Sequence, residues 1–291
     1  MSESIKTLFI VGPTASGKSA LAMQLAAELD AEIVCADSQT LRRGLDMGTA
    51  KPSKADQARI PHHLIDIIDP YEDFSAAAFK AAAEQALEAI HATGKLAIVV
   101  GGTGLYVDAL YYTYSFEGKA ADPELRNRLN QMSVEQLQAK IRDKNLPMPF
   151  NDQNPRHLIR TIESGGMKAL NKTPRPQSLI IGLNPGREVI KQRIALRAKS
   201  LLAHGFLDEV DEVVKKYGYP SRQFDAIAYK IALNNLHPRD EAHIHYIEQA
   251  ITVAESQYAK RQIAWFKRNQ QITWFETAES AAKFVHSQIK P

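Results

Sequence analysis

The sequence contains a single cysteine, Cys35, among its 291 residues. One thiol cannot form a disulfide within the chain, and it cannot supply the several thiolates of a zinc ribbon or finger. Long apolar runs are also missing, since none approaches the ~18 residues of a membrane-spanning helix. The N-terminus runs into a strand-like segment and lacks the regions of a secretory signal. We therefore expect a cytoplasmic protein that makes no membrane contact.

The chain has almost no net charge, because 36 Lys and Arg residues oppose 33 Asp and Glu residues. Its 44% hydrophobic and 24% charged residues are typical of globular proteins, which argues against disorder or a coiled coil. The middle of the chain is different. Between positions 119 and 199 there are 16 basic and 7 acidic residues. This excess favours a site for a polyanion, although a solvated helical surface would produce the same count.

Strands and helices alternate in the first third of the sequence. Short apolar runs at Thr7–Val11, 33–36 and 96–100 predict buried strands, and segments 19–29 and 76–90 predict helices. Alternation of this kind indicates an α/β fold with a parallel sheet. Ligands of such folds bind at the carboxyl ends of the strands.

The middle segment shows no strand-like alternation. Helix starts are indicated at Pro123, Ser133 and Pro155, within a helical pattern that spans 122–168. A proline-containing linker then leads to Ser178–Leu183, which resembles a returning strand, and the chain ends in helices. We therefore predict an all-helical insertion domain, 114–177, within a core formed by 1–113 and 178–291.

The first strand is followed by a phosphate-binding loop of the form G-x-x-x-x-G-K-[ST]. Its residues are Gly12, Pro13, Thr14, Ala15, Ser16, Gly17, Lys18 and Ser19. Glycines let backbone N–H groups converge on phosphate oxygens, and the helix N-terminus adds positive charge. Lys18 supplies a cation, and the Ser19 hydroxyl can bind Mg²⁺. The loop predicts a parallel sheet like that of P-loop NTPases, flanked by helices.

Two further strand ends carry candidate site residues. Asp37 follows the second strand, where an aspartate can act as a base or a Mg²⁺ ligand, or merely cap a turn. Gly101, Gly102, Thr103 and Gly104 follow the third. These glycines either form a tight turn or let a substrate approach the backbone beside the Thr103 hydroxyl.

Further motifs follow in a fixed order, and they are GTAKP (48–52), PHHLID (61–66), GGTGLY (101–106), AIAYK (226–230) and YAKRQ (258–262). With the phosphate loop they span nearly the whole chain. Together they resemble the tRNA dimethylallyltransferases, also called isopentenyl-diphosphate:tRNA transferases. The resemblance implies transfer of the dimethylallyl group of dimethylallyl diphosphate to the N6 amine of an adenosine. That adenosine lies next to the anticodon of tRNA, on its 3′ side, and diphosphate is released.

The resemblance also implies roles for individual residues. Asp37 would act as the base toward the adenine amine, and Thr103 would hydrogen-bond the same region. Lys18 and Arg197 would stabilise the leaving diphosphate, with Arg193 as the second choice of arginine. Mg²⁺, bound through the serine of the loop, is the implied cofactor. The expected partners are dimethylallyl diphosphate and the anticodon stem-loop of tRNA, bound by a monomer.

The basic middle segment is expected to contact the tRNA. The predicted contacts are Asp37, Ser38, Gln39, Thr40, Thr103, Arg126, Arg156, His157, Arg160, Tyr229 and Lys230. Tyr229 and Trp265 could stack on bases, but a place in the core is the favoured interpretation for both. The adjacent His62 and His63 resemble a metal pair, but a structural role is preferred because no third ligand is evident.

The chain departs from the family pattern D-S-x-Q-[VI]-Y, since Thr40 stands at the glutamine position and Arg42 at the tyrosine position. Recognition of the flanking bases is therefore open, and Arg42 and Arg43 could instead contact phosphates. Three alternatives remain. One is a P-loop kinase of a small metabolite, another is prenyl transfer to free adenosine phosphates, and the third is a non-catalytic RNA-binding homologue.

Overall fold

The computed structural model describes residues 4–112, 114, 122–166, 173–220 and 226–289. Within these residues six strands form one sheet. They are β1 (Thr7–Val11), β2 (Ala31–Cys35), β3 (His62–His63), β4 (Leu96–Gly101), β5 (Ser178–Leu183) and β6 (Thr273–Phe275). Their order is β3-β2-β4-β1-β5-β6, and every pairing is parallel. The predicted α/β class is confirmed.

Helices connect the strands. They are α1 (Lys18–Glu28), α2 (Lys54–Arg59), α3 (Ala76–Ala92), α4 (Gly104–Tyr111), α5 (Pro123–Asn130), α6 (Val134–Asp143), α7 (Pro155–Glu163), α8 (Arg187–Ala203), α9 (Phe206–Tyr217), α10 (Ile227–Leu233), α11 (Glu241–Phe266) and α12 (Ala278–Gln288). Their starts follow local chemistry. The Ser75 hydroxyl accepts a hydrogen bond from the amide of Ala78, and Ser133 forms a capping box with Gln136. Pro123 and Pro155 open α5 and α7, as predicted.

The chain divides into two compact units. The first, here called the α/β unit, comprises Met1–Tyr111 and Pro174–Pro291, and the second, the helical unit, comprises Tyr112–Thr173. The helical unit contains α5, α6 and α7, which pack around a core that includes Leu137, Ile141 and Leu158. The predicted helical pattern extends to residue 168, and its last two residues lie outside the described part of the chain.

The sheet forms the centre of the α/β unit. Every residue of β1 and β4 is buried, because helices cover both faces of the sheet. The strands β3 and β6 were not predicted. With two and three residues, they are too short to show a repeating pattern. Among the described residues, no helix is both long and apolar enough to cross a membrane.

A buried lysine joins two of the sequence motifs. The side chain of Lys51, from GTAKP, is only 2% exposed, and its ammonium group lies 2.5 Å from a carboxylate oxygen of Asp46. The same group lies 2.5 Å from a carboxylate oxygen of Asp66, from PHHLID, and donates to the carbonyl of Arg42. All three N–H bonds of the ammonium group can therefore be used.

We expect Lys51→Ala to lower the free energy of unfolding by about 1–3 kcal/mol, because it removes a buried cation that hydrogen-bonds two partly exposed carboxylates and a carbonyl. Urea denaturation would measure the loss. Lys54→Ala is the matched control, because Lys54 also contacts Asp66 but is 79% exposed. The control should change stability by no more than about 0.5 kcal/mol. Equal effects of the two changes would contradict a structural role for the buried lysine.

Candidate active site

The loops after three neighbouring strands meet at one edge of the sheet. Because β2, β4 and β1 are adjacent and parallel, their carboxyl ends lie side by side. A cavity of about 1180 Å³ opens there within the α/β unit. Its lining includes Lys18 and Ser19 after β1, Asp37 after β2 and Gly101 at the end of β4. The structure therefore brings the separately predicted site segments together.

The phosphate loop has the backbone that its glycines predict. Gly12 has φ +154°, and a Cβ atom there would lie 2.4 Å from the carbonyl oxygen of Leu183, so only glycine fits. The helix α1 begins at Lys18, so the last two residues of the phosphate-loop motif form its first turn. The Lys18 ammonium group donates to the carbonyl of Pro13 at 3.2 Å. Burial lowers the pKa of Lys18, and the nearby Asp37 charge partly opposes this.

Asp37 and Thr103 lie on loops that hydrogen bonds hold together. The Thr103 hydroxyl accepts from the amide of Ser38 at 3.0 Å, and the Thr103 amide donates to the carbonyl of Ala36 at 3.3 Å. The Asp37 carboxylate accepts from the amide of Gln39 at 2.9 Å. Gly101 permits this approach, because a Cβ atom there would lie 2.0 Å from the Ala36 carbonyl oxygen. The candidate base and the candidate hydrogen-bond partner of the amine are therefore held at adjacent positions.

Both predicted arginines of α8 reach the phosphate loop. Arg193 donates to the carbonyls of Ala15 and Ser16, at 3.4 and 3.0 Å. Arg197 lies one helical turn later and donates to the Thr14 hydroxyl at 2.9 Å. Arg193 binds the backbone of the loop, whereas Arg197 lines the cavity. These contacts support the choice of Arg197 over Arg193.

The site also contains residues of α11 to which the sequence analysis gave no role. Gln262 accepts from the Thr14 amide at 2.7 Å and donates to the Gly102 carbonyl at 2.9 Å. Glu255 accepts from the Thr14 hydroxyl at 3.3 Å and forms an ion pair with Arg197. Tyr258, between them on the helix, lines the cavity, and burial raises its pKa.

A sequence signal for these residues exists. One face of α11 is buried, and its apolar residues are Ile247, Ile251, Ala259 and Phe266, which are spaced by four, eight and seven positions. Glu255 and Gln262 fall in the same register and are only 8% and 4% exposed. Polar residues on a buried helical face need partners, so this pattern points to a polar contact.

The cavity fits a metal that is shared with a ligand. Ser19 and Asp37 both line it. In the described ranges no three His, Cys, Asp or Glu side chains are grouped closely enough to hold a metal ion. Mg²⁺ is commonly held by one or two protein oxygens together with phosphate oxygens, which suits these residues. The imidazoles of His62 and His63 instead contact the Ile60 carbonyl and Glu32.

The predicted tRNA-contacting residues occupy several environments. Ser38, Gln39 and Thr40 all line the cavity, but Thr40 is only 7% exposed and its hydroxyl donates to the Asp37 carbonyl. In the helical unit, three residues of α7 are exposed, namely Arg156, His157 and Arg160. Arg126 forms a two-bond salt bridge with Glu163, at 2.7 and 2.6 Å.

Tyr229 is not placed to stack on a base. The residue is 1% exposed, its hydroxyl donates to Glu209, and it accepts from the Gly48 amide at 3.2 Å. Burial raises the pKa values of both Tyr229 and Glu209. The assignment of Tyr229 to tRNA binding is therefore corrected to a core residue, whereas its neighbour Lys230 is exposed. Trp265 is half-buried, and its indole nitrogen donates to Asp108.

The hypothesis of phosphate contacts by Arg42 and Arg43 is also not supported. Arg42 donates to the carbonyls of Pro70 and Glu72. Arg43 forms an ion pair with Asp69. Both guanidinium groups bind the segment after PHHLID, so they hold that segment in place.

Comparison with known proteins agrees with these motifs. The IPP transferase family model matches residues 41–269, more than half of the chain. A tRNA dimethylallyltransferase 1 of Citrifermentans bemidjiense is 37% identical, over 97% of this chain and 95% of the relative. A tRNA dimethylallyltransferase of Staphylococcus carnosus is 34% identical, over 96% and 94%. The crystal structure of a tRNA isopentenylpyrophosphate transferase from Bacillus halodurans is 30% identical and has a TM-score of 0.73, over 99% and 97% of the two chains.

The fold and the site define an α/β protein whose phosphate loop faces a candidate base across one cavity. The family match and the near full-length relatives specify this class further. The chain belongs to the IPP transferase family, and its relatives from Citrifermentans bemidjiense and Staphylococcus carnosus are named tRNA dimethylallyltransferases. The resemblance found from the motifs is thereby confirmed.

The buried position of Tyr229 makes a testable prediction. We expect Tyr229→Phe to lower the free energy of unfolding by about 1–3 kcal/mol, because Glu209 and the Gly48 amide lose a buried partner. Urea denaturation would measure the change. Tyr219→Phe is the control, because Tyr219 is 64% exposed, and it should be nearly neutral. Unchanged stability of Tyr229→Phe would contradict a structural role for the buried hydroxyl.

Proposed function

We propose that the protein transfers the dimethylallyl group of dimethylallyl diphosphate to the N6 amine of an adenosine in tRNA. The adenosine is the one next to the anticodon, on its 3′ side, and the chain acts as a monomer. The observation that carries this proposal is the cavity shared by the phosphate loop and Asp37, with Thr103 hydrogen-bonded at its edge. An anionic leaving group needs the cationic side chains at the phosphate loop, and a nucleophile that must lose a proton needs a base such as Asp37.

The diphosphate half of the site is built to stabilise negative charge. In the proposed reaction the bond between the allylic carbon and the diphosphate oxygen breaks, and both electrons stay on the diphosphate. Lys18, Arg197 and the N-terminus of α1 are in place before that charge develops, as electrostatic stabilisation requires. Mg²⁺, held through Ser19, would supply further positive charge to the diphosphate oxygens.

The acceptor half of the site contains a base and a positioning group. The nitrogen of the adenine amine forms the new bond to the allylic carbon and gives up a proton. Asp37 is the proposed acceptor of that proton, and Thr103, whose hydroxyl also accepts from the Ser38 amide, holds the amine. A stacked adenine cannot reach such a cavity, so the base has to leave the stack, at a cost of a few kcal/mol.

We assign the tRNA contacts to exposed basic side chains and to the polar residues that follow Asp37. Arg156, His157 and Arg160 are exposed on α7 of the helical unit, and Arg126 lies on α5 of the same unit. Lys230 is exposed in the α/β unit, and Ser38, Gln39 and Thr40 line the cavity beside Asp37. Phosphate contacts of this kind make affinity fall with salt.

A product assay tests the proposed reaction. The purified protein is incubated with dimethylallyl diphosphate, Mg²⁺ and an unmodified tRNA with adenosines in its anticodon loop. We expect mass spectrometry of the digested RNA to show adenosine with one added prenyl group. Lys18→Ala should abolish the product. Asp37→Ala should reduce the rate by about 10²–10⁴-fold, because a general base is lost, and leave tRNA binding largely intact.

The control for these variants is Glu276→Ala, which removes an exposed carboxylate outside the cavity and should keep the wild-type rate. An Asp37→Ala protein with the wild-type rate would refute the base assignment. Absence of product with retained tRNA binding would indicate a non-catalytic RNA-binding protein. Absence of both, with ATP consumed in a metabolite screen, would indicate a kinase.

The tRNA contacts predict the salt dependence of binding. Log affinity falls with log salt concentration. We expect Arg156→Ala and Arg160→Ala each to make this negative slope shallower by about 1, as the loss of one phosphate contact does. Lys283→Ala, which removes an exposed ion-paired lysine of α12 in the α/β unit, should leave the slope unchanged. Equal slopes for all three variants would contradict the assignment of α7 to the tRNA.

A further inference from the structure

Glu255 places a carboxylate among the cations of the phosphate site. It lies on α11, and its side chain is only 10% exposed. One carboxylate oxygen accepts from both Arg197 and the Thr14 hydroxyl. The same guanidinium nitrogen of Arg197 also donates to the Thr14 hydroxyl. Side chains from the phosphate loop, α8 and α11 therefore form one closed hydrogen-bonded group.

A buried carboxylate next to a site for a polyanion is costly unless it serves the site. It repels an incoming diphosphate, and it loses hydration on burial. Its charge also favours the protonated state of the nearby Lys18, against the effect of burial. This energetic cost indicates that Glu255 makes a contribution to the phosphate site that a neutral residue would not make.

The contribution follows from the guanidinium of Arg197. Among the described residues, its hydrogen bonds to protein all use Nη2. The donors on Nε and Nη1 remain available to a ligand, and the planar fork of a guanidinium suits phosphate oxygens. A side chain as long as arginine loses considerable rotamer freedom when it is fixed. Glu255 fixes it in advance of binding.

We propose that Glu255 is a positioning residue that holds Arg197 against Thr14, so that the guanidinium meets a bound diphosphate in one orientation. Glu255 itself makes no contact with the ligand and acts through Arg197. The inference rests on the proposed function in so far as the diphosphate is that of the allylic donor. Its central test uses inorganic diphosphate and needs no prenyl transfer.

The test is a double-mutant cycle on binding. Calorimetry measures the affinity of Mg²⁺ and inorganic diphosphate for the wild type, Glu255→Ala, Arg197→Ala and the double variant. We expect about tenfold weaker binding for Glu255→Ala, and no further loss when it is added to Arg197→Ala, because residues that act as one unit are non-additive. Glu248→Ala, on the same helix and outside the cavity, should bind like the wild type.

The opposite outcomes overturn the proposal. Wild-type or tighter binding by Glu255→Ala would mean that the carboxylate only repels the ligand. Additive losses in the double variant would mean that Glu255 acts independently of Arg197. If Glu255→Ala does not fold, Glu255→Gln takes its place in the cycle. It keeps an acceptor oxygen, so we expect a smaller loss that is again absent in the Arg197→Ala background.

Turnover separates this inference from the proposed function. In the product assay, Glu255→Ala should raise KM for dimethylallyl diphosphate and leave KM for tRNA unchanged, which a general structural defect would not do. A wild-type protein that binds diphosphate with Glu255–Arg197 coupling but prenylates no tRNA would refute the proposed function alone. A protein that prenylates tRNA without that coupling would refute the inference alone.

Discussion

The geometry of the candidate site depends on how the phosphate loop is held from outside. A loop with glycines at both ends has little packing of its own, so its shape depends on neighbouring residues. The Thr14 amide is bound by Gln262, and the Ala15 and Ser16 carbonyls are bound by Arg193. The Thr14–Gln262 contact joins residues 248 positions apart. The loop is therefore held in place only when the C-terminal helices have packed against it, so the anion site depends on the fold of the whole α/β unit.

The motifs shared with the family form two groups, one with candidate site residues and one whose residues mainly contact one another. The phosphate loop, Asp37 and GGTG form the cavity edge, whereas GTAKP, PHHLID and AIAYK are joined mainly to one another. Lys51 of GTAKP contacts Asp66 of PHHLID, and Gly48 of GTAKP donates to Tyr229 of AIAYK. A Cβ atom at Gly48 would lie 2.6 Å from the Tyr229 ring, so this junction requires glycine. Residues of all three motifs, including Gly48, His62 and Ile227, line the cavity beside Asp37.

Sequence reasoning was accurate where the determinants are local. The strand Thr7–Val11, the phosphate loop and the helix starts at Pro123, Ser133 and Pro155 each follow from a few adjacent residues. It failed where a residue's environment is set by distant elements. The aromatic ring of Tyr229 is equally suited to a core or to a base, and its burial depends on α9 and the GTAKP loop. Glu255 and Gln262 were missed because both contact Thr14, which lies 241 and 248 positions away from them in the sequence.

The departures from the family pattern after Asp37 are confined to one turn. Thr40 is buried there and bonded to the Asp37 carbonyl, and Arg42 is bonded to the carbonyls of Pro70 and Glu72. The phosphate loop is held instead by α8 and α11. The candidate anion-binding loop is thus held by α8 and α11, whereas the turn after Asp37 is held by its own carbonyl contact and by the segment after PHHLID. Substitutions in the turn can therefore alter what lies beside Asp37 and leave the contacts that hold the phosphate loop intact.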